Sequence, residues 1–521
     1  MKHLSTRKAK ISLEIRRFKK FLGIFARDKR GILGLTILGF FITLAVAAPL
    51  VTPYDPIDLP RHPTKPPYAD LFAKPIWYKY LPLGEELSEN VEPMQDPNFN
   101  TASSLNELQF TSNLTGQSVS EQFVSNIGIE TEENKKGCVA LVFDRQNDEN
   151  PLGIVEANLT KVFYYPYKVP PNRFVGQVAM LVNASEDVTV TIDLVIEKEG
   201  GERRLEWWSQ RFNSSETTWI TPTPLIDSAS ADIYWLRQKF GPEWAMNPSH
   251  EMFSEQSNYR YGLEITFNDT QRSKGESAQA TVYIDDFYIN LFGSSFGLLG
   301  TDKAGRDIFS QLVYGARISL AVGLLAATFS TFIGLLVGLT AGYIGKFVDQ
   351  ILMRFTDMLL VIPDTPLYIV LMAVLSPSIW TLVLLIALIG WTGFARIVRS
   401  SVLSIRERPF IEGARAVGAG KFRIIMRHIL PNVMNLVYVT LAMAVPNAIT
   451  TEAWLSWLGL YDPRVMTWGR MLHDAQETAQ GIRMWWWIVP PGVSIAAISL
   501  SFILLGYALD EVLNPKLRER Y

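Results

Sequence analysis

Side chains that could carry out covalent chemistry are few in this sequence and lie far apart. The 521 residues include five His and one Cys, and none of them falls in a metal-binding spacing. The stretch GAGKF, residues 418–422, comes nearest to a phosphate-binding loop, but it lacks the leading glycine and the final hydroxyl residue. We therefore predict that the chain is not an enzyme and binds no metal or cofactor of its own.

The most unusual stretch is EGARAVGAGKFRIIMRHILPN, residues 412–432, which is basic and lies between two long apolar runs. Pro409 suits the first turn of a helix, and Gly418 is expected to end that helix. Its apolar residues share one predicted face: Phe410, Ile411, Ala414 and Val417. A second helix is predicted over residues 421–430 and stops before Pro431. Apolar surface on a basic knob of this kind predicts a docked partner or contact with lipid headgroups.

Six apolar stretches have about the length needed to cross the roughly 30 Å core of a bilayer. They are residues 31–51, 318–344, 351–375, 379–395, 433–455 and 485–508. The chain is 48% hydrophobic and 19% charged, which is too apolar for a typical soluble protein. The first run is longer than the core of a signal peptide, so we expect it to remain as a span. We predict a mainly α membrane protein with six transmembrane helices.

Four charged residues lie in or beside the third apolar run. Asp349, Arg354 and Asp357 are expected near its inner mouth, where Arg354 and Asp357 are one helical turn apart and would pair. Asp364 lies deeper, in VIPDTP, residues 361–366, whose two prolines interrupt the run. A carboxylate inside a membrane lines a path or has a partner. These four residues are the candidates for a translocation path or for structural ion pairs.

Lys and Arg predict the orientation of the chain. Residues 1–30 contain 11 of them against two acidic residues, and residues 396–428 contain eight against two. Short loops rich in Lys and Arg stay in the cytoplasm. We therefore expect a cell-membrane protein with both termini in the cytoplasm and residues 52–298 outside. Helical spacing of apolar residues near the start predicts a basic amphipathic tail on the inner membrane surface, with a merely solvated tail as the alternative.

The segment expected outside has the pattern of a β domain. Residues 52–312 contain 37 acidic and 21 basic residues, a net charge of minus 16. The single cysteine, Cys138, excludes an intrachain disulfide framework, so the domain needs an apolar core. Apolar and polar residues alternate at 188–200, 259–269 and 280–292. We predict an inserted all-β domain, a β-sandwich or jelly-roll-like fold.

Two features of this segment bear on ligands. The closing VYIDDFYI resembles the last strand of galactose-binding-like jelly-roll modules. Five tryptophans could form a stacking platform for a ligand or could lie buried between sheets. They are Trp207, Trp208, Trp219, Trp235 and Trp244.

The basic stretch at 412–432 resembles the cytoplasmic EAA loop of ABC importer permeases. Gly413 stands where that family usually has alanine, and the matching positions are Glu412, Ala414, Gly418, Ile429, Leu430 and Pro431. Other stretches resemble, in order, the C-type permease subunit of dipeptide and oligopeptide importers. They are APLVTPYDP, LGTDKAGRDIFSQLVYGARISL, VDQILMRFTD, WLSWLGL and TWGRML. The resemblance covers about 260 residues, nearly everything except the acidic segment.

The resemblance implies a type I ABC importer permease whose loop docks as a coupling helix in a groove of a cytoplasmic ATPase. Glu412 would be the polar anchor and Gly418 the bend, although Glu412 could instead pair within the loop with Arg415 or Arg408. The implied coupling residues are Glu412, Gly413, Ala414, Arg415, Gly418, Ile429 and Pro431. The implied partners are a second homologous permease subunit, two ATPase subunits that bind ATP and Mg, an extracytoplasmic substrate-binding protein and membrane lipid, without nucleic acid.

The family-like motif GTDKAGRD is expected at the outer surface as a structural clamp, with contact to the substrate-binding protein as the alternative. Its residues of interest are Gly300, Thr301, Asp302, Gly305, Arg306 and Asp307.

The expected organisation is a cytoplasmic tail (1–30), a first span (31–51), a β-rich insert (52–298) and a permease core (299–521) with five spans and the coupling loop at about 400–432. The implied function is half of an ATP-driven translocation pathway for dipeptides and oligopeptides, with oligosaccharides or nickel chelates as alternative substrates. The insert would support the binding protein or act as a tethered binding module. A membrane-anchored receptor is a third hypothesis, against which the coupling loop argues.

Overall fold

The computed structural model describes residues 28–57, 68–81, 86–113, 119–125, 127–128, 137–145, 153–200, 203–222, 226–229, 248–269, 278–478 and 483–513. Two compact units make up the chain: Met1–Ile57 with Ile308–Tyr521, and Asp58–Asp307. The predicted amphipathic tail, Trp235 and Trp244 lie outside the described residues.

The first unit is helical. Its helices are α1 (Lys29–Val46), α2 (Ala48–Val51), α3 (Ile308–Ile344), α4 (Lys346–Val361), α5 (Asp364–Leu375), α6 (Ile379–Gly390), α7 (Thr392–Arg406), α8 (Pro409–Ala416), α9 (Lys421–Ile424), α10 (Leu430–Trp457), α11 (Trp468–Gln476) and α12 (Trp485–Leu513). A π-helical turn, Ile425–Ile429, joins α9 to α10.

Within the described residues, four helical segments are long and apolar enough to cross a membrane, or up to six if each of two bent pairs is one span. The four segments are Lys29–Val46, Ile308–Ile344, Lys421–Trp457 and Trp485–Leu513. The bent pairs are α4 with α5, at 88°, and α6 with α7, at 41°. The sharper bend falls where the sequence predicts an interruption, because Pro363 holds the preceding residue, Ile362, in an extended conformation.

Helices α3 and α7 pack at very short range. A Cβ added to Gly338 of α3 would lie 2.7 Å from the Ala395 carbonyl oxygen and 2.6 Å from Val398 Cβ. Small residues let helix backbones approach in this way and increase van der Waals contact. The basic residues of α7 are consequently fixed relative to α3.

The second unit is β-rich. Its strands are β1 (Gln109–Ser112), β2 (Val119–Val124), β3 (Cys138–Arg145), β4 (Ile154–Tyr165), β5 (Arg173–Ala184), β6 (Val188–Lys198), β7 (Arg204–Phe212), β8 (Ile226–Asp227), β9 (Ser257–Asp269) and β10 (Ala278–Phe292). They form two antiparallel five-stranded sheets, ordered β1-β4-β9-β6-β7 and β2-β3-β10-β5-β8. The three predicted strands are confirmed as β6, β9 and β10.

Side chains from both sheets share one apolar core. Trp207 lies in that core, edge-on to Phe174 at 4.7 Å between ring centroids, and Trp208 packs against its margin. The Trp207 ring is therefore a packing group, which confirms for this residue the alternative of a tryptophan buried between the sheets.

Cys138 reports on the integrity of this unit because it is the chain's one cysteine and is fully buried. Burial, reinforced by the nearby Asp285 carboxylate, raises the pKa of its thiol to about 12. Only the thiolate is nucleophilic, so at pH 8 iodoacetamide should alkylate the folded chain at least about 100-fold more slowly than the denatured chain. Intact mass spectrometry of the labelled chain measures this, and rapid labelling under native conditions would contradict the buried position.

Candidate coupling surface and associated charged sites

The segment between α7 and α10 folds as a compact knob. Helix α8 begins at Pro409, as predicted, and Gly418 beyond its end has φ +84°, a left-handed conformation that glycine adopts without strain. Gly420 then precedes the first residue of α9. The two glycines therefore provide the turn between the short helices.

The knob has an inner and an outer apolar surface. Ile411, Ile424 and Ile429 are buried and join a core that includes Val398 and Val402 of α7. Val417 is 90% exposed and Phe422 is 76% exposed, and Phe410 and Met426 are also exposed. The single apolar face predicted for α8 is therefore wrong, because Ile411 points into the core whereas Val417 lies in solvent. We call Phe410, Val417, Phe422 and Met426 the coupling surface.

The predicted end of the second helix before Pro431 is also wrong. Pro431 lies in the first turn of α10, which continues directly from the π-helical turn. Leu430 N–H donates to the Ile425 carbonyl across that wider turn. A π turn breaks the regular i to i−4 pattern, so the missing N–H and the ring of proline are tolerated at this position.

Glu412 is exposed in the first turn of α8, where the helix dipole favours a carboxylate. The described residues include no ion-pair partner for it, so the alternative pairing with Arg415 or Arg408 is not observed. Gly413, Ala414 and Arg415 follow on the same short helix. The carboxylate and the guanidinium of Arg415 are thus both accessible to a partner.

Helices α4 and α7 are joined by ion pairs. Arg399 donates two hydrogen bonds to Asp349, at 2.5 Å from Nε and 2.6 Å from Nη2, and Arg396 pairs with Asp357. The predicted Arg354–Asp357 pair is therefore wrong. A pair along one helix contributes only about 0.2–0.5 kcal/mol, so Arg396 on the neighbouring helix can replace Arg354 as the partner of Asp357.

Arg354 is exposed and has no ion-pair partner in the described part of the chain. Asp364 is exposed at the start of α5 and accepts a hydrogen bond from Thr365 N at 2.8 Å. The structure does not bring Asp364 together with Asp349, Arg354 or Asp357 in any described ion pair. Their contribution to a translocation path stays a prediction.

Glu452 of α10 is a buried carboxylate that we overlooked in the sequence. Ser456 Oγ donates to its Oε1 at 2.8 Å. The hydroxyls of Ser319 on α3 and of Thr467 at the start of α11 lie near the carboxylate. A carboxylate inside an apolar run is a recognisable signal, which we applied to Asp364 alone.

The motif GTDKAGRD lies in the β-rich unit and is largely buried. Asp302 Oδ2 accepts a hydrogen bond from Arg306 Nε at 2.7 Å, and Asp302 Oδ1 accepts from the backbone N–H of Ala304 and Arg306. Asp307 forms an isolated bridge with Thr301. The motif is consequently a closed turn that contains an internal ion pair.

This turn grips residues 69–74, which we call the strap. Thr301 Oγ1 donates to the Asp70 carbonyl and accepts from Ala73 N, and Phe72 N donates to the Asp302 carbonyl. Gly300 has φ +72°, and a Cβ there would lie 2.2 Å from the Ala73 carbonyl oxygen. Gly305 also lies close to the strap, since its added Cβ would meet the Ala69 carbonyl oxygen at 2.7 Å.

The stretch GSSFG, residues 293–297, has the Gly-x-Ser-x-Gly spacing of a nucleophile elbow, so the expectation that the sequence contains no such spacing is wrong. Its Ser295 is 1% exposed and donates to the Ser88 carbonyl at 2.9 Å. An elbow serine must be exposed above a strand-to-helix turn, so this serine is a structural group.

Two segments of the chain match known protein families. Residues 334–519 match the family "Binding-protein-dependent transport system inner membrane component", and residues 17–68 match the "N-terminal TM domain of oligopeptide transport permease C". The helical unit therefore corresponds to a membrane component of a binding-protein-dependent transport system.

Two of the chain's relatives are permeases of peptide transport systems. The chain is 39% identical over 230 residues to the dipeptide transport system permease protein DppC of Bacillus subtilis, covering 44% of this chain and 72% of that protein. It is 38% identical over 221 residues to the oligopeptide transport system permease protein OppC of the same organism, covering 42% and 72%. The chain belongs to the family of dipeptide and oligopeptide ABC transporter permeases.

A solved structure of the MetNI methionine ABC transporter in an inward-facing conformation is 17% identical and covers 39% of this chain and 97% of that one, with a TM-score of 0.32. That agreement is too low to support a conclusion about this chain.

Proposed function

We propose that this chain is the permease subunit of an ATP-driven peptide importer and forms half of its translocation pathway. The observation that carries the proposal is the coupling surface, whose exposed Val417 and Phe422 stand on a knob anchored by buried Ile411, Ile424 and Ile429. Apolar side chains held rigidly in solvent are typical of a docking site. Relatives named as dipeptide and oligopeptide permeases support peptides as the cargo.

The docked partner is a cytoplasmic ATPase subunit that supplies ATP and Mg, because this sequence has no phosphate-binding loop of its own. The coupling surface packs in a groove of that subunit, and exposed Glu412 provides a polar contact at its edge. Ile429 and Pro431 connect the knob to α10, so movement of the ATPase reaches the membrane helices. A second permease subunit and an extracytoplasmic binding protein complete the importer.

The β-rich unit lies outside the membrane as a jelly-roll-like sandwich, and the basic segments 1–30 and 396–428 face the cytoplasm. The bias of Lys and Arg toward those short segments supports this orientation. The motif GTDKAGRD acts as a clamp on the strap, because its polar side chains are engaged within the unit. Asp349 and Asp357 act as structural partners of α7.

Gly418→Pro tests the coupling role. Proline cannot adopt the φ of +84° at Gly418, so the turn between α8 and α9 must change. In proteoliposomes containing the complete importer, ATP-dependent uptake of a radiolabelled dipeptide should fall more than about tenfold.

Gly413→Ala is the matched control. Gly413 lies inside α8, and a Cβ there meets no atom within 4 Å, so alanine should leave uptake within about twofold of wild type. Wild-type uptake by Gly418→Pro would show that the turn between α8 and α9 does not transmit movement of the ATPase to the membrane helices. Lack of peptide accumulation by the wild-type importer would reject the peptide cargo.

A further inference from the structure

The β-rich unit has a surface cleft whose lining includes no residue of the GTDKAGRD turn. Its volume is about 410 Å³, within the roughly 300–1,000 Å³ typical of small-ligand sites. One wall comes from the end of the 3₁₀ helix Ile76–Tyr80, and the opposite wall from the turn between β4 and β5, residues 166–169. Glu86, Leu87 and Gln256 complete the lining.

The turn that forms the second wall is held in place before any ligand arrives. Buried Tyr165 donates through its hydroxyl to the Val169 carbonyl at 2.6 Å. Gln256 Nε2 donates to the Pro166 carbonyl at 2.6 Å, and Ser88 Oγ donates to the Pro170 carbonyl at 3.2 Å. Three hydrogen bonds from different parts of the chain fix this wall, which reduces the entropy lost on binding.

The charges of the cleft differ in how firmly they are paired. Lys79 forms a 3.0 Å ion pair with Glu89, and the hydrogen bond in that pair raises the pKa of Lys79. Lys168 and Glu86 are 3.9 Å apart, beyond hydrogen-bonding distance, and their side chains are 71% and 68% exposed. Exposed pairs of this kind contribute about 0–1 kcal/mol, so both groups can exchange partners easily.

An aromatic ring lies beside these charges. Tyr80 lines the cleft and is 78% exposed, which is unusual for a tyrosine in a unit that buries most of its aromatic rings in one core. An exposed ring in the same cleft as this weakly paired cation and anion presents three different contacts to a ligand. Short peptides carry matching groups: a terminal carboxylate, a terminal ammonium and apolar side chains.

We propose that this cleft binds short peptides, with Lys168 contacting the terminal carboxylate, Glu86 the terminal ammonium and Tyr80 a side chain. The assignment rests on the proposed peptide cargo and makes the β-rich unit a second place where that cargo is recognised. In a unit with so large an excess of acidic residues, Lys168 provides the local positive charge that a carboxylate requires.

The test uses the full chain in lipid nanodiscs and the tripeptide Ala-Phe-Ala, with equilibrium dialysis as the measurement. Lys168→Ala should weaken binding of the free acid about fivefold and leave the carboxyl-terminal amide unaffected. Glu86→Ala should weaken binding of the free amine to a similar extent and leave the N-acetyl peptide unaffected. Tyr80→Ala should reduce the preference for Ala-Phe-Ala over Ala-Ala-Ala.

Arg260→Ala is the control, because it removes a partly exposed charge from an ion pair with Glu197, and neither residue lines the cleft. Absence of saturable binding to the wild-type chain, or equal affinity of all variants for every peptide form, would overturn the cleft assignment. If the complete importer still takes up the tripeptide in that case, the proposed function stands and this inference alone fails. An importer that takes up no peptide at all would instead contradict the proposed function.

Discussion

Val417→Asp and Phe422→Asp, combined in one chain, should abolish ATP-driven peptide uptake while the membrane helices remain folded. Both side chains are largely exposed, so the substitutions disturb no internal packing. In a docked complex, each new carboxylate would have to lose its hydration against apolar surface. Central interface residues typically contribute about 2 kcal/mol or more, so each substitution should weaken ATPase binding about 30-fold. Co-purification of the ATPase subunits with the tagged permease measures this directly.

Ser404→Asp provides a matched control for that experiment. Ser404 is exposed near the end of α7, so the variant adds a carboxylate close to the knob without replacing an apolar contact. It should retain ATPase binding and uptake near wild type. If the Val417 and Phe422 variants also retained the ATPase, the coupling surface would not be the docking site.

Asp302→Ala should destabilise the β-rich unit by about 3–5 kcal/mol. Asp302 is fully buried and pairs with Arg306, whose side chain is 8% exposed, so the substitution removes a buried ion pair from the turn. The strap should then detach more often, since Phe72 N donates to the Asp302 backbone within the same turn. Limited proteolysis and hydrogen exchange of the full chain in detergent, followed over residues 69–74, measure the loss.

Glu197→Ala is the comparison for this variant. It also removes one carboxylate from an ion pair, with Arg260, but that pair is partly exposed and should contribute less than about 1 kcal/mol. Equal protection of the strap in wild type, Asp302→Ala and Glu197→Ala would show that the GTDKAGRD turn does not act as a clamp.

The local turns of the knob could be predicted from sequence, whereas the direction of its side chains could not. Pro409 lies at the start of α8 because its ring fixes φ at a helical value. Gly418 lies beyond the end of α8 because glycine adopts a positive φ without strain. Ile411 lies in α8 and Val417 caps its end, and although both are apolar only Ile411 faces the core. A knob with two apolar surfaces offers no polar stripe that distinguishes them.

Ion-pair partners that lie far apart in the sequence could not be predicted from it either. The spacing of Arg354 and Asp357 suggests a pair within one helix, but Asp357 pairs with Arg396, 39 positions along the chain. Which helix lies beside α4 depends on the close approach of α3 and α7, and no local pattern in the sequence encodes that contact. In the β-rich unit, alternation identified strands β6, β9 and β10, whereas sheet order required the complete set of pairings.

The contact between strap and turn joins two segments that lie near the two ends of the β-rich unit in the sequence, which spans Asp58–Asp307. Residues 69–74 and 300–307 are hydrogen-bonded side by side, although some 230 positions separate them. The hydrogen bonds of this segment already hold its two ends close together. The entropy that the chain loses on connecting two helices through it is therefore similar to that for a short loop. The β-rich unit therefore has the construction of a portable module, one that an ancestral permease could gain or lose at a single site without refolding its helices.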